Sequence, residues 1–175
     1  IAQTIIFCEG YRVIHNPYFD WLPLTPTKGE VMTIKIPSEK KLDKIVSKGI
    51  YLLPLGNYHY LVGATYNHTD FDELISEAGQ AFLLDKLKEV LDVDFEQIDA
   101  KAGVRPTVKD RKTLVGLHPL LKKLAVFNGL GTRGVLQGPY LSTQFSTFLT
   151  LEPKNNKLTD NERIMKLYAQ KNEVF

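Results

Sequence analysis

The chain has 175 residues, of which 43% are hydrophobic and 24% charged, a composition typical of an ordinary globular protein with a core of its own. Lys and Arg total 22 against 20 for Asp and Glu, so the net charge of +2 argues against the clustered basic surface that nucleic acid binding requires. The single cysteine, Cys8, excludes an internal disulfide and a cysteine-based metal site, and the four histidines lack metal-ligand spacing, which leaves surface or loop roles for them.

The sequence also bears on location and on the extent of the chain. No apolar stretch approaches the roughly 20 residues that cross a membrane, and no secretion signal is visible, so we expect a cytoplasmic protein without a membrane partner. A strand pattern begins at Thr4, almost at the first residue, and we expect the chain to be cut from a longer protein. Cys8 ends an apolar run, which predicts a buried small side chain rather than a nucleophile.

The first half of the chain is predicted to consist mostly of strands. Residues 4–8 are apolar and rich in β-formers, which is typical of a buried strand in a parallel sheet. Residues 11–27 contain three prolines and predict irregular structure. Residues 29–36 alternate and predict a half-buried strand. Three more strands, joined by turns too short for a parallel crossover, are predicted at about 42–47, 49–54 and 58–65.

The second half mixes helices and strands. Residues 77–91 predict a helix with Ser76 as its N-cap, and residues 93–104 predict an alternating strand with a bulge near Gln97. Glycine and proline become frequent from residue 103 onward. The elements predicted there are a buried strand at 124–127, a helix at 136–149, a polar loop at 152–156 and a weak helix at 161–171.

These elements predict an α+β chain with two subdomains. Residues 24–102 form one, made of antiparallel strands and a helix. Residues 1–23 and 103–152 form the other from strand and helix pieces, and residues 153–175 are a polar tail or helix. Because the chain leaves one subdomain, builds the second and returns, the first is discontinuous.

One glycine-rich segment matches a nucleotide-binding pattern. Residues 129–134 read Gly-Leu-Gly-Thr-Arg-Gly, which is GxGxxG between a predicted strand and a predicted helix. A dinucleotide unit needs a second strand after that helix, and the polar residues 152–156 stand there instead. A helix that begins near Gly134 still presents free N–H groups and partial positive charge, which suit a phosphate or a reduced flavin. Packing alone is the other explanation for these glycines.

Three motifs carry a family resemblance. Residues 103–119 contain Gly-Val-Arg-Pro, then Asp, then Gly-Leu-His-Pro. Residues 126–139 contain the glycine-rich loop and the start of its helix, while residues 51–54 and 61–65 form a predicted hairpin. In this order the motifs resemble the D-amino-acid oxidase and glycine oxidase superfamily of FAD-dependent oxidoreductases, although Arg111 stands where that family often has glycine.

The resemblance implies an antiparallel substrate-binding sheet with a helix, plus the C-terminal strand–helix pieces of a Rossmann-like FAD-binding domain. FAD would be bound non-covalently, and the family's N-terminal FAD-binding segment would be a missing partner of this chain. Arg105 would bind the substrate carboxylate through two parallel hydrogen bonds, with a structural ion pair to Asp110 as the alternative, and Tyr51 would line the substrate pocket. The residues implied at the flavin are Gly10, Gly129, Gly131, Thr132, Arg133, Gly134 and Val135.

The implied activity is oxidation of a small amine that bears a carboxylate, either an amino acid or an N-alkyl glycine, by hydride transfer to the flavin. The full-length enzyme would carry it out, and this chain alone would be inactive. The loop with Arg133 also resembles the oxidase domain of a bifunctional enzyme that oxidises a carboxymethylaminomethyl group on a tRNA wobble uridine. The alternative of another class is a non-catalytic binding or scaffold domain that keeps only the fold.

Overall fold

The computed structural model describes residues 2–150 and 161–172. The chain divides into two compact units, Thr27–Val104 and the combination of Ile1–Pro26 with Arg105–Phe175. Each unit has a sheet and a hydrophobic core of its own. The polar loop predicted at residues 152–156 lies outside the described residues.

The described residues form eight strands, three α-helices and three short 3-10 helices. The strands are β1 (Ile5–Phe7), β2 (Thr27–Lys35), β3 (Val46–Lys48), β4 (Ile50–Gly56), β5 (His59–Gly63), β6 (Glu96–Arg105), β7 (Leu114–Leu117) and β8 (Leu124–Asn128). The helices are α1 (Glu77–Lys88), α2 (Gly134–Thr150) and α3 (Asn161–Asn172), and the 3-10 helices are Gly10–His15, Ser38–Lys40 and Gly131–Arg133. None of the described helices is long and apolar enough to cross a membrane.

The unit Thr27–Val104 is built on a five-stranded sheet with the order β3-β4-β5-β2-β6. Neighbours β3 and β4, β4 and β5, and β2 and β5 pair antiparallel. The short turns that join β3 to β4 and β4 to β5 require this pairing. The predicted α+β class, with an antiparallel sheet and a helix, is therefore confirmed. The strand predicted at 42–47 is reduced to the three residues of β3.

One face of this sheet packs against α1 and forms the core. Apolar side chains alternate along the strands and meet two leucines of the helix. The buried members are Met32, Ile34, Ile36, Ile50, Leu52, Tyr60, Val62, Leu83 and Leu87. Because successive side chains of a strand point to opposite faces, the intervening residues stand on the face of the sheet opposite α1.

The start of α1 is held by a buried carboxylate from the sheet. Ser76 is the N-cap, as predicted, and its Oγ accepts a hydrogen bond from Gly79 N at 3.0 Å. Glu30, which is 2% exposed, accepts hydrogen bonds from Ser76 Oγ at 2.6 Å and from Ser76 N at 3.0 Å. A negative charge at a helix N-terminus is favourable, so Glu30 fixes α1 to β2.

A second buried charge fixes the loop between β5 and α1. Lys28 is 1% exposed, and its Nζ donates to Asp70 Oδ2 at 2.5 Å and to Asp72 Oδ1. The ammonium lowers the pKa of Asp70, and the two carboxylates raise the pKa of Lys28. Thr27 Oγ1 also lies 3.1 Å from His68 Nδ1. This loop is therefore held by charge pairs.

The other unit contains a three-stranded sheet with the order β1-β8-β7. Strands β1 and β8 are parallel, and β7 pairs antiparallel with β8. Its main core comprises Val13, Phe19, Leu22, Val108, Leu114, Val126 and Ile164, with Phe145 and Phe148 of α2 in a smaller cluster. Strand β7 was not predicted, because Gly116 interrupts its apolar run and Pro119 follows it closely.

Two predictions for the first residues of this unit are wrong. Strand β1 is exposed rather than buried, since Ile5 and Ile6 keep 50% and 42% of their surfaces accessible. It pairs only with β8, at the edge of the described sheet. Cys8 is exposed as well, not a buried small side chain. Desolvation nevertheless raises the pKa of its thiol, which is the opposite of what a nucleophilic cysteine needs.

His118 lies in the loop after β7, which is one of the two roles predicted for the histidines, but it is buried rather than at the surface. It is 5% exposed and packs edge-on against Trp21 and Tyr168, with ring centroids 6.0 and 5.5 Å away. Its Nδ1 accepts hydrogen bonds from Leu120 N at 3.1 Å and Leu121 N at 3.0 Å. Burial lowers the pKa of His118, so the imidazole is a neutral structural group that holds the turn after β7.

Candidate functional site

Tyr51 stands on the face of the five-stranded sheet opposite α1. Its neighbours Ile50 and Leu52 are buried in the core under the helix, and strand alternation therefore turns Tyr51 the other way. Tyr51 is half-buried and lies opposite Gly63 in the register of β4 with β5. Tyr51 is therefore not part of the core under α1.

Arg105 is the last residue of β6 and is half-buried. Ala100 of the same strand packs against the α1 core, so alternation puts position 105 on the opposite face of the sheet. The carbonyl of Arg105 accepts a hydrogen bond from Thr107 N at 2.9 Å, and Thr107 O accepts one from Thr25 N at 2.8 Å. The backbone that follows the arginine is thereby fixed.

Asp110 was the acidic partner considered for a purely structural Arg105. Both of its carboxylate oxygens accept hydrogen bonds at 2.9 Å from Nη2 of Arg163, on α3. Nη1 of Arg163 also donates to Thr113 O at 2.6 Å. Asp110 therefore has an arginine partner other than Arg105, and the two together tie α3 to the loop before β7.

Strands β1 and β8 are parallel, so their carboxyl ends lie at the same edge of the sheet. This brings together two of the segments predicted at the flavin, those of Gly10 and Gly129. Asn128, at the end of β8, is 2% exposed. Its Nδ2 donates to Gly10 O at 2.8 Å, and its Oδ1 accepts from Gly129 N at 2.8 Å. Ligands in open sheets of this kind bind beyond the carboxyl ends of the strands. Asn128 was missed, although a polar residue between a buried strand and a glycine was the available signal.

The glycines at this edge have different reasons to be glycine. Gly129 and Gly131 have positive φ values of 71° and 54°, and a Cβ on Gly129 would lie 3.0 Å from Leu114 N. Packing and backbone conformation thus explain Gly129 within the unit, as the packing alternative proposed. Gly10 also has a positive φ of 60°, but a Cβ there would meet no atom within 4 Å, so the space beside it is open.

The helix after the glycine-rich loop begins as predicted, at Gly134. Its first turn carries no acidic residue, and Val135 is 97% exposed. Thr132 and Arg133 are exposed too, and Arg133 Nη2 donates to Arg111 O at 2.6 Å. An accessible helix N-terminus after the glycine-rich loop fits the negative charge of a flavin ring or a phosphate.

No group of three or more His, Cys, Asp or Glu residues that could hold a metal ion occurs in the described ranges. The parallel strand ends, the glycine-rich turn and the helix N-terminus together indicate a nucleotide-type cofactor.

A family profile described as FAD dependent oxidoreductase, the DAO family, matches residues 1–144. The chain belongs to this family. Both the recognition of the family and its dependence on FAD are thereby confirmed.

Curated relatives of this DAO-family chain include two kinds of enzyme. The tRNA 5-methylaminomethyl-2-thiouridine biosynthesis bifunctional protein of Nitrosospira multiformis is 30% identical over 149 residues, which are 77% of this chain and 24% of that protein. Glycine oxidase of Geobacillus kaustophilus is 30% identical over 122 residues, 67% of this chain and 32% of that enzyme. The chain thus spans about a quarter to a third of the length of these relatives.

Solved structures show the same fold. Iminodiacetate oxidase from Chelativorans superposes with a TM-score of 0.79 at 21% identity, covering 93% of this chain and 46% of that one. Glycine oxidase from Geobacillus kaustophilus superposes with a TM-score of 0.75 at 27% identity, covering 85% of this chain and 41% of that one. The DAO-family chain therefore corresponds to less than half of each solved protein.

Proposed function

We propose that this chain is part of an FAD-dependent enzyme that oxidises a small amine bearing a carboxylate, either an amino acid or an N-alkyl glycine. The observation that carries the proposal is the place of Arg105, at the end of β6 on the face of the sheet opposite α1. The family membership and the glycine oxidase relatives support the same reaction class.

Arg105 would bind and orient the substrate. Its planar guanidinium matches a carboxylate in two parallel hydrogen bonds, which a lysine cannot reproduce. Tyr51, as the family resemblance implies, would offer a hydroxyl to the substrate. FAD, when bound, would supply the redox chemistry by accepting a hydride from the carbon next to the amine. The α2 N-terminus would favour the negative charge of the reduced ring.

The flavin would be held without a covalent bond. No cysteine follows Arg105 and Pro106, and Cys8, just after β1, has a raised thiol pKa. Acid precipitation of the holoenzyme should leave the yellow colour in the supernatant, and colour retained in the pellet would contradict this. This chain would provide Gly10 and the residues around Gly129, while a further FAD-binding segment would complete the site. A cytoplasmic location stays a prediction.

The test is Arg105→Ala in the longer protein that carries the complete FAD site. Truncating one partner of a desolvated, charge-assisted pair costs on the order of 2–5 kcal/mol, so kcat/KM should fall roughly 30-fold to several thousand-fold with flavin content unchanged. Arg105→Lys should recover only part of the loss, because the ammonium keeps the positive charge but cannot form two parallel hydrogen bonds to a carboxylate.

A structural role for Arg105 gives the opposite result. In that case the variant would melt at a lower temperature, and the folded fraction would turn over at the normal rate. Arg163→Ala is a matched control, because it removes an arginine that pairs with Asp110 and should affect stability rather than kcat/KM. Normal kinetics of Arg105→Ala with full flavin content would show the site assignment to be wrong.

The relative from Nitrosospira multiformis supports a second candidate, oxidation of a tRNA wobble-uridine side chain. That side chain also carries an amine next to a carboxylate, so the same arginine could serve it. The two candidates separate when the longer protein is assayed on amino acids and N-alkyl glycines, and on tRNA bearing carboxymethylaminomethyluridine. Activity on neither substrate class would favour a binding or scaffold domain.

A further inference from the structure

We infer that Gly63 is a positioning residue for the substrate pocket, because its missing side chain lets the Tyr51 phenol lie across strand β5. The inference rests on the proposed function, in which Tyr51 contacts the substrate. It concerns the Thr27–Val104 unit alone, since both residues belong to the same sheet.

Gly63 lies between two partners in the sheet. It is opposite Tyr51 in the register of β4 with β5, and opposite Val31 in the register of β2 with β5. A Cβ at position 63 would lie 2.7 Å from Tyr51 Oη, 2.8 Å from Tyr51 Cζ and 2.8 Å from Val31 Cγ1. The end of the phenol ring thus occupies the space in which a side chain at position 63 would stand.

A positive φ does not explain glycine at this position. Five glycines of the described residues have positive φ, namely Gly10, Gly49, Gly56, Gly129 and Gly131, and Gly63 is not among them. The close contacts give a steric reason instead, and the tightest is with the hydroxyl end of Tyr51. Real Cβ atoms essentially never approach another atom this closely, so a side chain at position 63 requires a shift, and the phenol is the free end of a flexible side chain that can make it.

This arrangement determines where the Tyr51 hydroxyl stands. The side chain starts on β4, and its Oη lies over β5, the strand next to β2 in the sheet. A phenol packed against Gly63 also loses torsional freedom before substrate arrives, which is the physical basis of preorganisation. With alanine at position 63 the ring would have to lift from the sheet and carry the hydroxyl away.

The test uses the full-length flavoenzyme and a double-mutant cycle. Gly63→Ala should lower kcat/KM for the amine substrate roughly 3- to 30-fold, the effect of misplacing one hydrogen-bonding group, with flavin content unchanged. The loss should appear mainly in KM. In a Tyr51→Ala background the same substitution should cause no further loss, because the ring no longer fills the space.

Two variants keep folding apart from positioning. Val31→Ala combined with Gly63→Ala removes the Val31 contact and leaves the Tyr51 contact, so this pair tests positioning even if Gly63→Ala alone folds poorly. Gly103→Ala adds a methyl group to another strand glycine of the same unit, where no atom lies within 4 Å, and should change neither kinetics nor melting temperature.

The outcomes separate this inference from the proposed function. Equal losses from Gly63→Ala in the unsubstituted enzyme and in the Tyr51→Ala background would overturn the inference alone, provided that Tyr51→Ala is itself impaired. Normal kinetics of Tyr51→Ala would overturn both the inference and the substrate role of Tyr51. Impaired Tyr51→Ala with a silent Gly63→Ala would also overturn it, since the phenol would then tolerate a neighbour. Arg105→Ala independently tests the carboxylate anchor.

Discussion

The two units bury their apolar surface in different ways. In Thr27–Val104 an antiparallel sheet buries one face under α1, and such a sheet needs cover on one side only. In the other unit β1 and β8 are parallel. Ile5 and Ile6 are 50% and 42% exposed, and because they are successive residues of a strand they point to opposite faces of the sheet. Parallel strands are normally covered on both faces, and the described residues do not provide that cover to β1.

Both units leave large apolar side chains exposed. In Thr27–Val104, where buried Glu30 and Lys28 fix α1 and the loop before it, Leu74 is 70% and Ile45 64% exposed. In the other unit Val135 and Leu136 of α2 are 97% and 78% exposed, in addition to β1. The matched portion is only 24% and 32% of the length of the two relatives.

The largest predicted stability effect is at Gly129, in the unit that contains the parallel strands β1 and β8. Gly129→Ala would place a side chain at φ 71° with its Cβ 3.0 Å from the Leu114 backbone nitrogen, an atom that cannot move alone. The left-handed conformation and the overpacking together should cost about 2–4 kcal/mol. Chemical denaturation measures the loss. Gly138→Ala, a helical glycine with open space, is the control, and an equally small change in both variants would refute the packing explanation.

A smaller effect is expected in the antiparallel unit, at Gly79. A Cβ on this residue would lie 2.4 Å from Glu30 Oε1, so Gly79→Ala should break the contact that fixes α1 to β2. Overpacking costs about 1–3 kcal/mol, and alanine returns up to about 1 kcal/mol of helix propensity. The net loss should be measurable as a lower denaturation midpoint. If Gly79→Ala stabilised the protein, Glu30 could not be a rigid fastener.

The smallest effect is on the pH dependence of stability, and it arises from His118 in the same unit as Gly129. Burial lowers the pKa of His118 in the folded protein, so the unfolded chain binds more protons below the ordinary histidine value of about 6.5. Stability should therefore be full above that pH and be lost as the pH falls towards the folded pKa. His118→Asn can still accept from the turn and should flatten the decline of Tm between about pH 7 and pH 5, by on the order of 1–3 °C. An unchanged dependence of Tm on pH would show that the pKa of His118 does not differ between the folded and unfolded states.

The sequence by itself determined the local elements that rest on local patterns. Alternation predicted β2 and β6, and runs bounded by short turns predicted β4 and β5. Ser76 predicted the start of α1, and the strand–glycine–helix order predicted β8 and α2. Short turns required antiparallel pairing because a parallel crossover is long. Family recognition rested on the motifs around Arg105 and Gly129, where chemistry restricts the choice of residue.

Only the tertiary structure decided the contacts that join residues far apart in the chain. Asn128 meets Gly10 across 118 positions, and Lys28 meets Asp70 across 42. No local pattern predicts such pairs, because each side chain alone looks like an ordinary loop or strand residue. The prediction that β1 is buried was wrong for the same reason. Its apolar run predicts that other elements cover it, but the exposure of Ile5 depends on which elements pack against it. Hydrophobicity states a preference for burial, and only the packing of distant segments decides whether it is met.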